Sequence, residues 1–556
     1  MSPSTRGAGP FRRVGGSGFR KLFLMVLAGW SIAGAAERDV LPAVDDKWRH
    51  YQSPNFELYS RNDDATSREL LHNLELLRAL FVERFKFVER ARLEVTVYFF
   101  RSQQDFRAYA REAMAKSDFF KGFYYPWPDR AVISLAPVDN PESAQRMVFH
   151  EYVHHLFRAA EQDPPVWYNE GMAELCAGMR VVGGGDTVEV GHPPLGRLAR
   201  IQNEKFLPLE TLFAVDHSSP IYRSGGDHTG VFYAESWALM HYLYHGKSKI
   251  PPEAVHRFLA VAGSRKAVKS VNLPDFFREC FGMDYAAMQR QLEDYVRAGS
   301  YRYSTQPVPK IAPEKSYTMR PLSRDEIRVR LADLAVRVNR SAAGKLVLME
   351  AAEKPGADPR VFETLGGDAM LERDTAAAQQ RWEQAIAAGT RNTAIYRELG
   401  LLESRQWFQQ YTASFRLPEE TTLRLRERLL RSIEYEPRQT AAYEMLAWVE
   451  GYAEQPAIAN VNLVQEHFPE LRQKARTLLA LALVRVHVGR PEDAKAMLEK
   501  IASLEPDAWT ENVTESVLAK IEGRKPRITR PRGPMAPPLP PTPGLKNPGI
   551  EIPAGR

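Results

Sequence analysis

Two short clusters in this 556-residue chain have the residue types and spacing of metal chemistry: His150-Glu151-Tyr152-Val153-His154 and Asn169-Glu170-Gly171-Met172-Ala173-Glu174. The first is an HExxH sequence. Residues four apart on a helix share a face, so His150 and His154 can present two imidazoles to one metal ion. Glu151 lies one residue round from His150 and can face water on that metal, where a general base must sit. A catalytic zinc takes three protein ligands and keeps one position open. Fifteen residues separate His154 from Glu170, and Asp163-Pro164-Pro165 in that interval reads as a helix stop and a new start. Two helices joined by such a turn bring Glu170 back to the metal. Glu174, one turn further, then reaches a ligating histidine, where a carboxylate fixes the imidazole tautomer and raises its basicity. The competing reading, an exposed helix with two ordinary histidines, leaves the second cluster without a purpose.

The elements that must position these residues are legible around them. Asn140 is a good N-cap, Pro141 suits the first helical position and Glu142 favours the positive helix end, while Met147, Val153, Leu156 and Phe157 give the helix an apolar surface. Upstream, 55–60 alternates as a short strand, and Leu70, Leu71, Leu74, Leu77 and Phe81 form one stripe of a helix over 64–86. The run 92–100 reads as a strand and 102–115 as a helix. Residues 122–125 and 131–136 read as a hairpin across Pro126-Trp127-Pro128-Asp129. Past Met179, Gly183-Gly184-Gly185-Asp186 marks a hairpin tip within 181–190. Helices are expected near 231–245, 252–262 and, as a pair, 272–299.

With both clusters in place, the chain resembles the gluzincin branch of zinc peptidases, the peptidase-MA-like superfamily. Its shared pattern is HExxH followed on the next helix by a glutamate ligand, often as N-E-G-x-A-E. The resemblance spans roughly 47–300 and implies Zn2+ held by His150, His154 and Glu170, with Glu151 as base and Glu174 as orienting carboxylate. A metzincin pattern would need glycine at 157 and histidine at 160, where the chain has Phe157 and Ala160. The interval of fifteen is shorter than in the thermolysin-like and aminopeptidase branches. It places the chain nearer a group of secreted bacterial proteins with the same motif pair. In the gluzincins a small sheet covers the HExxH helix, and its edge strand receives the substrate backbone. The segment Phe232-Tyr233-Ala234-Glu235 resembles the helix whose tyrosine stabilises the oxyanion, which implies that role for Tyr233. The alternative is that Tyr233 is a core aromatic. His217 and His228, in the polar stretch 216–229, are alternative donors or plain surface histidines.

From about 325 the texture becomes charged and rich in alanine and leucine, after a linker over 301–324 with four prolines. Self-similarity resembling tetratricopeptide repeats follows over 325–523. Gly366, Ala378, Trp382 and Ala385 fit one helix pair. Tyr396, Leu399 and Gly400 open another that closes at Pro437 if about thirteen residues are inserted near 404–420. Tyr443, Leu446, Ala447 and Ala459 fit a third, and Leu478, Leu481, Ala482, Gly489, Ala494, Leu498 and Pro506 a fourth. Small residues let paired helices approach, and stacking buries faces that one pair cannot bury alone. A generic helical domain is the plainer alternative. Such an array binds protein or peptide, carries no ionisable constellation for chemistry, and is expected to fold separately from the peptidase body.

The ends differ from the body. Residues 1–36 have the order of a signal peptide: a basic start (Arg6, Arg12, Arg13, Arg20, Lys21), an apolar run over 22–32 and Ala33-Gly34-Ala35 as cleavage site. No stable membrane span is expected after cleavage; an uncleaved anchor is the alternative. Residues 524–556 are basic and proline-rich, and are expected to be disordered. The first 35 residues carry five positive charges and no acid. The last 33 carry seven positive and one negative, so the net +6 leaves −5 for the body. A mildly acidic body gives no footprint for nucleic acid. Two cysteines, Cys176 and Cys280, cannot scaffold a chain of this size, though they leave one bridge open.

The expectation is therefore an α+β fold, with a small mixed sheet over an HExxH active-site helix, a helical subdomain, and an all-α repeat domain behind it. Its function would be that of a periplasmic or secreted zinc peptidase acting on protein or peptide, with the repeats recruiting a protein partner or substrate. No G-x-M-E-N sequence occurs to anchor a substrate amine, which favours endopeptidase over aminopeptidase action. The alternative is a non-catalytic envelope scaffold with a structural or vestigial metal site.

Overall fold

Alternation builds the central sheet. In the strand Glu94–Phe99, Val95, Val97 and Phe99 enter one core while Tyr98 and the following Phe100 enter another. Its neighbour Arg130–Leu135 does the same, with Ala131, Ile133 and Leu135 on the first side and Val132 and Ala136 on the second. Because both faces are apolar, the sheet must be covered twice. The computed structural model describes residues 41–85, 94–110, 122–127, 129–136, 141–159, 164–183, 186–223, 227–246, 250–263, 267–405, 407, 415–471, 474–504 and 506–527. The signal segment, residues 528–556 of the basic tail and most of the second half of the helix expected over 102–115 lie outside them, while Arg524, at the start of that tail, is ion-paired with Glu515 and Glu522.

The sheet has six strands: β1 (Arg49–Gln52), β2 (Phe56–Ser60), β3 (Glu94–Phe99), β4 (Gly122–Pro126), β5 (Arg130–Leu135) and, from far along the chain, β9 (Thr318–Pro321), in the order β4-β5-β3-β2-β1-β9. It is mixed: β2 with β3 and β3 with β5 run parallel, and the other pairs antiparallel. A smaller antiparallel sheet pairs β6 (Arg180–Val182), β7 (Thr187–Val190) and β8 (Ser304–Pro307). The segment 301–324, expected as a linker, thus donates one edge strand to each sheet.

On the first face lie α1 (Asp64–Arg84) and, after the short α2 (Gln103–Arg107), α3 (Pro141–Ala159). Leu70, Leu71, Leu74 and Leu77 of α1 and Val148, Phe149, Tyr152, Val153 and Leu156 of α3 join the core of that face. Beyond them come α4 (Val166–Ala177), α5 (Leu195–Asn203), α6 (Leu209–Ala214), α7 (Pro220–Arg223), α8 (Asp227–His245), α9 (Pro252–Ala262), α10 (Ala267–Ser270), α11 (Leu273–Phe281) and α12 (Tyr285–Ala298). Helix α4 crosses α8 at Gly171, where a Cβ would stand 2.4 Å from Met240 Cγ and 2.5 Å from the Ser236 carbonyl oxygen. Only glycine allows that approach, and it draws the second cluster of the sequence against the helix carrying Tyr233.

The second face is covered by the helical half of the chain. Helix α13 (Arg324–Asn339) starts at a capping box, Ser323 with Glu326, and places Ile327, Leu331, Leu334, Ala335 and Val338 against Trp48, Tyr59, Tyr98, Phe100 and Val132. Among the described residues ten further α-helices follow: α14 (Ala342–Ala352), α15 (Pro359–Leu371), α16 (Thr375–Ala387), α17 (Thr393–Arg405), α18 (Glu419–Tyr435), α19 (Thr440–Tyr452), α20 (Ile458–His467), α21 (Lys474–His487), α22 (Pro491–Ile501) and α23 (Ala508–Ile521). Neighbouring helices pack on one another, and α19 also packs on α21 past α20. Gly366 of α15 makes room for Trp382 of α16, and Gly451 of α19 for the backbone of Ala480 in α21. The architecture is α+β, a small mixed sheet with many helices. Among the described residues no helix is long and apolar enough to cross a membrane. Both cysteines are free thiols, Cys176 buried and Cys280 partly so.

Candidate metal centre

Helix α4 begins directly after Pro164-Pro165, with the Pro165 carbonyl accepting the amides of Tyr168 and Asn169. That start fixes which turn of α4 faces α3. His150 and His154, one turn apart on α3, meet Glu170 on α4, and all three are buried. His150 Nε2 and His154 Nε2 are 3.1 Å apart, and Glu170 Oε2 stands 3.3 Å from the first and 3.4 Å from the second. Three potential ligand atoms thus form a nearly equilateral triangle.

Each corner is held from behind. His154 Nδ1 and the Asn169 side-chain oxygen are 2.9 Å apart, so the amide oxygen can accept from Nδ1–H and leave Nε2 a lone pair. Glu174 Oε1 lies 3.6 Å from His150 Nδ1, and that same oxygen accepts two bonds from Arg197 of α5, at 3.0 and 2.8 Å. Glu174 is therefore ion-paired to Arg197 first and sits beside His150 second. Glu170 Oε1 accepts from the Tyr222 hydroxyl at 2.8 Å. Its other oxygen, the one aimed at the imidazoles, has no hydrogen-bond partner among the described residues, and neither has Glu151 Oε2.

The electrostatics follow from this packing. Burial disfavours charge on Glu170, but His154 and His150 beside it outweigh that and hold its carboxyl far below the usual range. Burial likewise opposes charge on His154, and Glu170 overrides it, lifting the imidazole to about 9. Glu151 is shifted upward, mainly by burial, against the pull of the two histidines. A buried carboxylate oxygen without a hydrogen bond is costly, and two imidazole nitrogens together with such an oxygen make a group that could hold a metal ion.

Tyr233, expected to be the oxyanion donor, is buried on α8 with its ring 6.2 Å from that of His150; the Arg197 guanidinium carbon lies 4.9 Å from its ring centre. His217 packs edge-on against Tyr222 at 5.4 Å. The His228 side chain lies outside the described residues. Three neighbours escaped the sequence reading: Tyr222, Arg197 and the service of Asn169. Asn169 was signalled by its place beside Glu170; Tyr222 and Arg197 arrive from two short helices, α7 and α5, that carry no motif. Comparison of the sequence with protein-family models and with curated proteins found no match.

Proposed function

We propose that this chain is an exported zinc-dependent peptidase, an endopeptidase of gluzincin type, whose repeat-like helices recruit a protein partner or substrate. The observation that carries the reading is Glu170 Oε2, without a hydrogen-bond partner among the described residues and turned inward between two imidazole nitrogens, with the buried Glu151 carboxylate on the same helix as those nitrogens. The triangle's sides of 3.1–3.4 Å match the edge of about 3.3 Å expected for tetrahedral ligands at zinc bond lengths of 2.0–2.1 Å. Two imidazoles and one carboxylate suit zinc better than the hard cations, which take oxygen ligands.

Zinc bound there would supply Lewis acidity toward a scissile carbonyl and toward the attacking water. The residues of the chain supply the rest. Glu151, whose proton affinity is raised chiefly by burial, takes the water's proton and returns it to the leaving amine. Tyr233 faces the site from α8 and is the donor for the developing oxyanion. Among the described residues strand β4 ends the six-stranded sheet with β5 as its strand partner, an edge where an extended peptide can add. A scaffold with a structural metal has no use for a buried carboxylate left unpartnered beside the ligands, which favours the catalytic reading.

The test is Glu151→Gln. This variant should retain metal and fold, unfolding within about 1 kcal/mol of wild type because only one atom type changes, yet yield no cleavage products in a proteome-wide profile. Equal cleavage by wild type and variant would refute the mechanism.

A further inference from the structure

Tyr222 comes to the centre from outside the two motifs. It stands on the single turn α7, half-buried, and its hydroxyl donates to Glu170 Oε1 at 2.8 Å. Its ring is fixed on three sides: parallel to Tyr233 at 6.3 Å, edge-on to Phe232 at 6.2 Å and edge-on to His217 at 5.4 Å. A hydroxyl so placed engages one carboxylate oxygen and leaves the other, Oε2, to the imidazole nitrogens.

We propose that Tyr222 is a positioning residue for the metal centre: by occupying Oε1, it would leave Glu170 a single oxygen, Oε2, to offer a metal ion beside the two imidazoles, so that a position could stay open to substrate or water. The proposal rests on the zinc-peptidase reading above. A carboxylate whose two oxygens are both available can take two coordination positions, and a catalytic site that loses its open position that way loses access for substrate. The phenol acts through Glu170 and makes no claim on the reacting atoms. Partners of this kind behind a ligand commonly govern metal affinity by 10–100-fold.

Tyr222→Phe keeps the ring and its stacking and removes only the donor. On the full chain, the zinc dissociation constant, measured by competition with a chromophoric chelator, should rise at least roughly tenfold. Loaded with Co2+ instead, wild type should show the intense visible bands of a four-coordinate ion, and the variant should lose intensity as Glu170 Oε1 joins the ion. The unfolding midpoint of the metal-free protein separates these effects from a purely structural role, which would lower the midpoint while leaving zinc affinity and cobalt spectrum as in wild type. If wild type binds one zinc and Tyr222→Phe matches it in affinity and spectrum, the role of Tyr222 is overturned while the zinc reading stands. If wild type takes up no zinc, both fall together.

Discussion

On the back of the six-stranded sheet, both oxygens of Asp129 and both of Glu363 accept hydrogen bonds; at the front, Glu151 and Glu170 each keep one oxygen without a partner among the described residues. Both clusters are buried and both are built from carboxylates. At the back, Arg337 of α13 reaches Asp129 through two nitrogens at 2.8 and 3.0 Å and Asp333 at 2.8 Å, while Arg130 bonds Asp129 and Glu363. Thr364, Thr390 and Asn392 complete the set. At the front the nearest positive partners of Glu151 and Glu170 are imidazoles. Carboxylates answered at both oxygens join two parts of a fold; at the front, an open carboxylate oxygen beside two imidazole nitrogens makes a group that could hold a metal ion.

The back cluster also shows that the helical half is more than an appendage. Trp127 donates its indole N–H to the Arg337 carbonyl and packs against Gly367, and Arg360 bonds Glu57 on β2. If this face is a true core, the largest effect will come from removing its cover. A chain ending at Leu322 exposes Tyr59, Tyr98, Phe100 and Val132, and should aggregate or lose cooperative unfolding. Survival of a soluble, cooperatively unfolding, zinc-holding fragment would instead make the two halves independent, as the sequence texture suggests.

A smaller effect sharpens the contrast within a single side chain. Arg337→Ala leaves Asp129 with Arg130 as its remaining cation and takes the guanidinium from buried Asp333, and should cost about 3–5 kcal/mol in denaturant unfolding. At the front, Glu151→Gln should move stability little, because that carboxylate is answered by so few partners. Comparable losses in the two variants would erase the distinction between the clusters.

The smallest effect is in acid. Burial opposes charge on Asp129, but Arg337 and Arg130 outweigh it and bring the carboxyl down to about 2 from an ordinary 3.8. A carboxyl depressed in the fold stabilises above its unfolded value, and that stability drains away as pH falls from about 4 through about 2. The amount is on the order of 2 kcal/mol. Asp129→Asn should be less stable at neutral pH and lose that part of the acid dependence; an unchanged slope between pH 4 and 2 would deny the pairing its weight.

How much of this was readable in the chain differs by feature. The HExxH spacing and the proline-marked restart at α4 are local, so the three ligand candidates and the base could be named from residues 150–174 alone. Strand β3 was legible from its alternating apolar residues. Strands β8 and β9 were not: each is four exposed residues ending in a proline, Pro307 and Pro321, which an edge strand tolerates and which otherwise marks a linker. The double cover of the sheet was written in Val95 to Phe100, apolar on both faces, yet nothing local says which distant helix supplies it. Tyr222 and Arg197 depend on long-range packing of α7 and α5 against the centre, and no spacing rule reaches across 52 or 23 residues.

The central claim is that the front cluster is unfinished because it holds zinc. Metal content of the purified full chain tests it most directly. One zinc per chain in wild type, falling to background in His150→Ala/His154→Ala because Glu170 alone cannot compete with buffer, is the expected result. Stoichiometric zinc retained by that double variant, or none in wild type, would contradict the account.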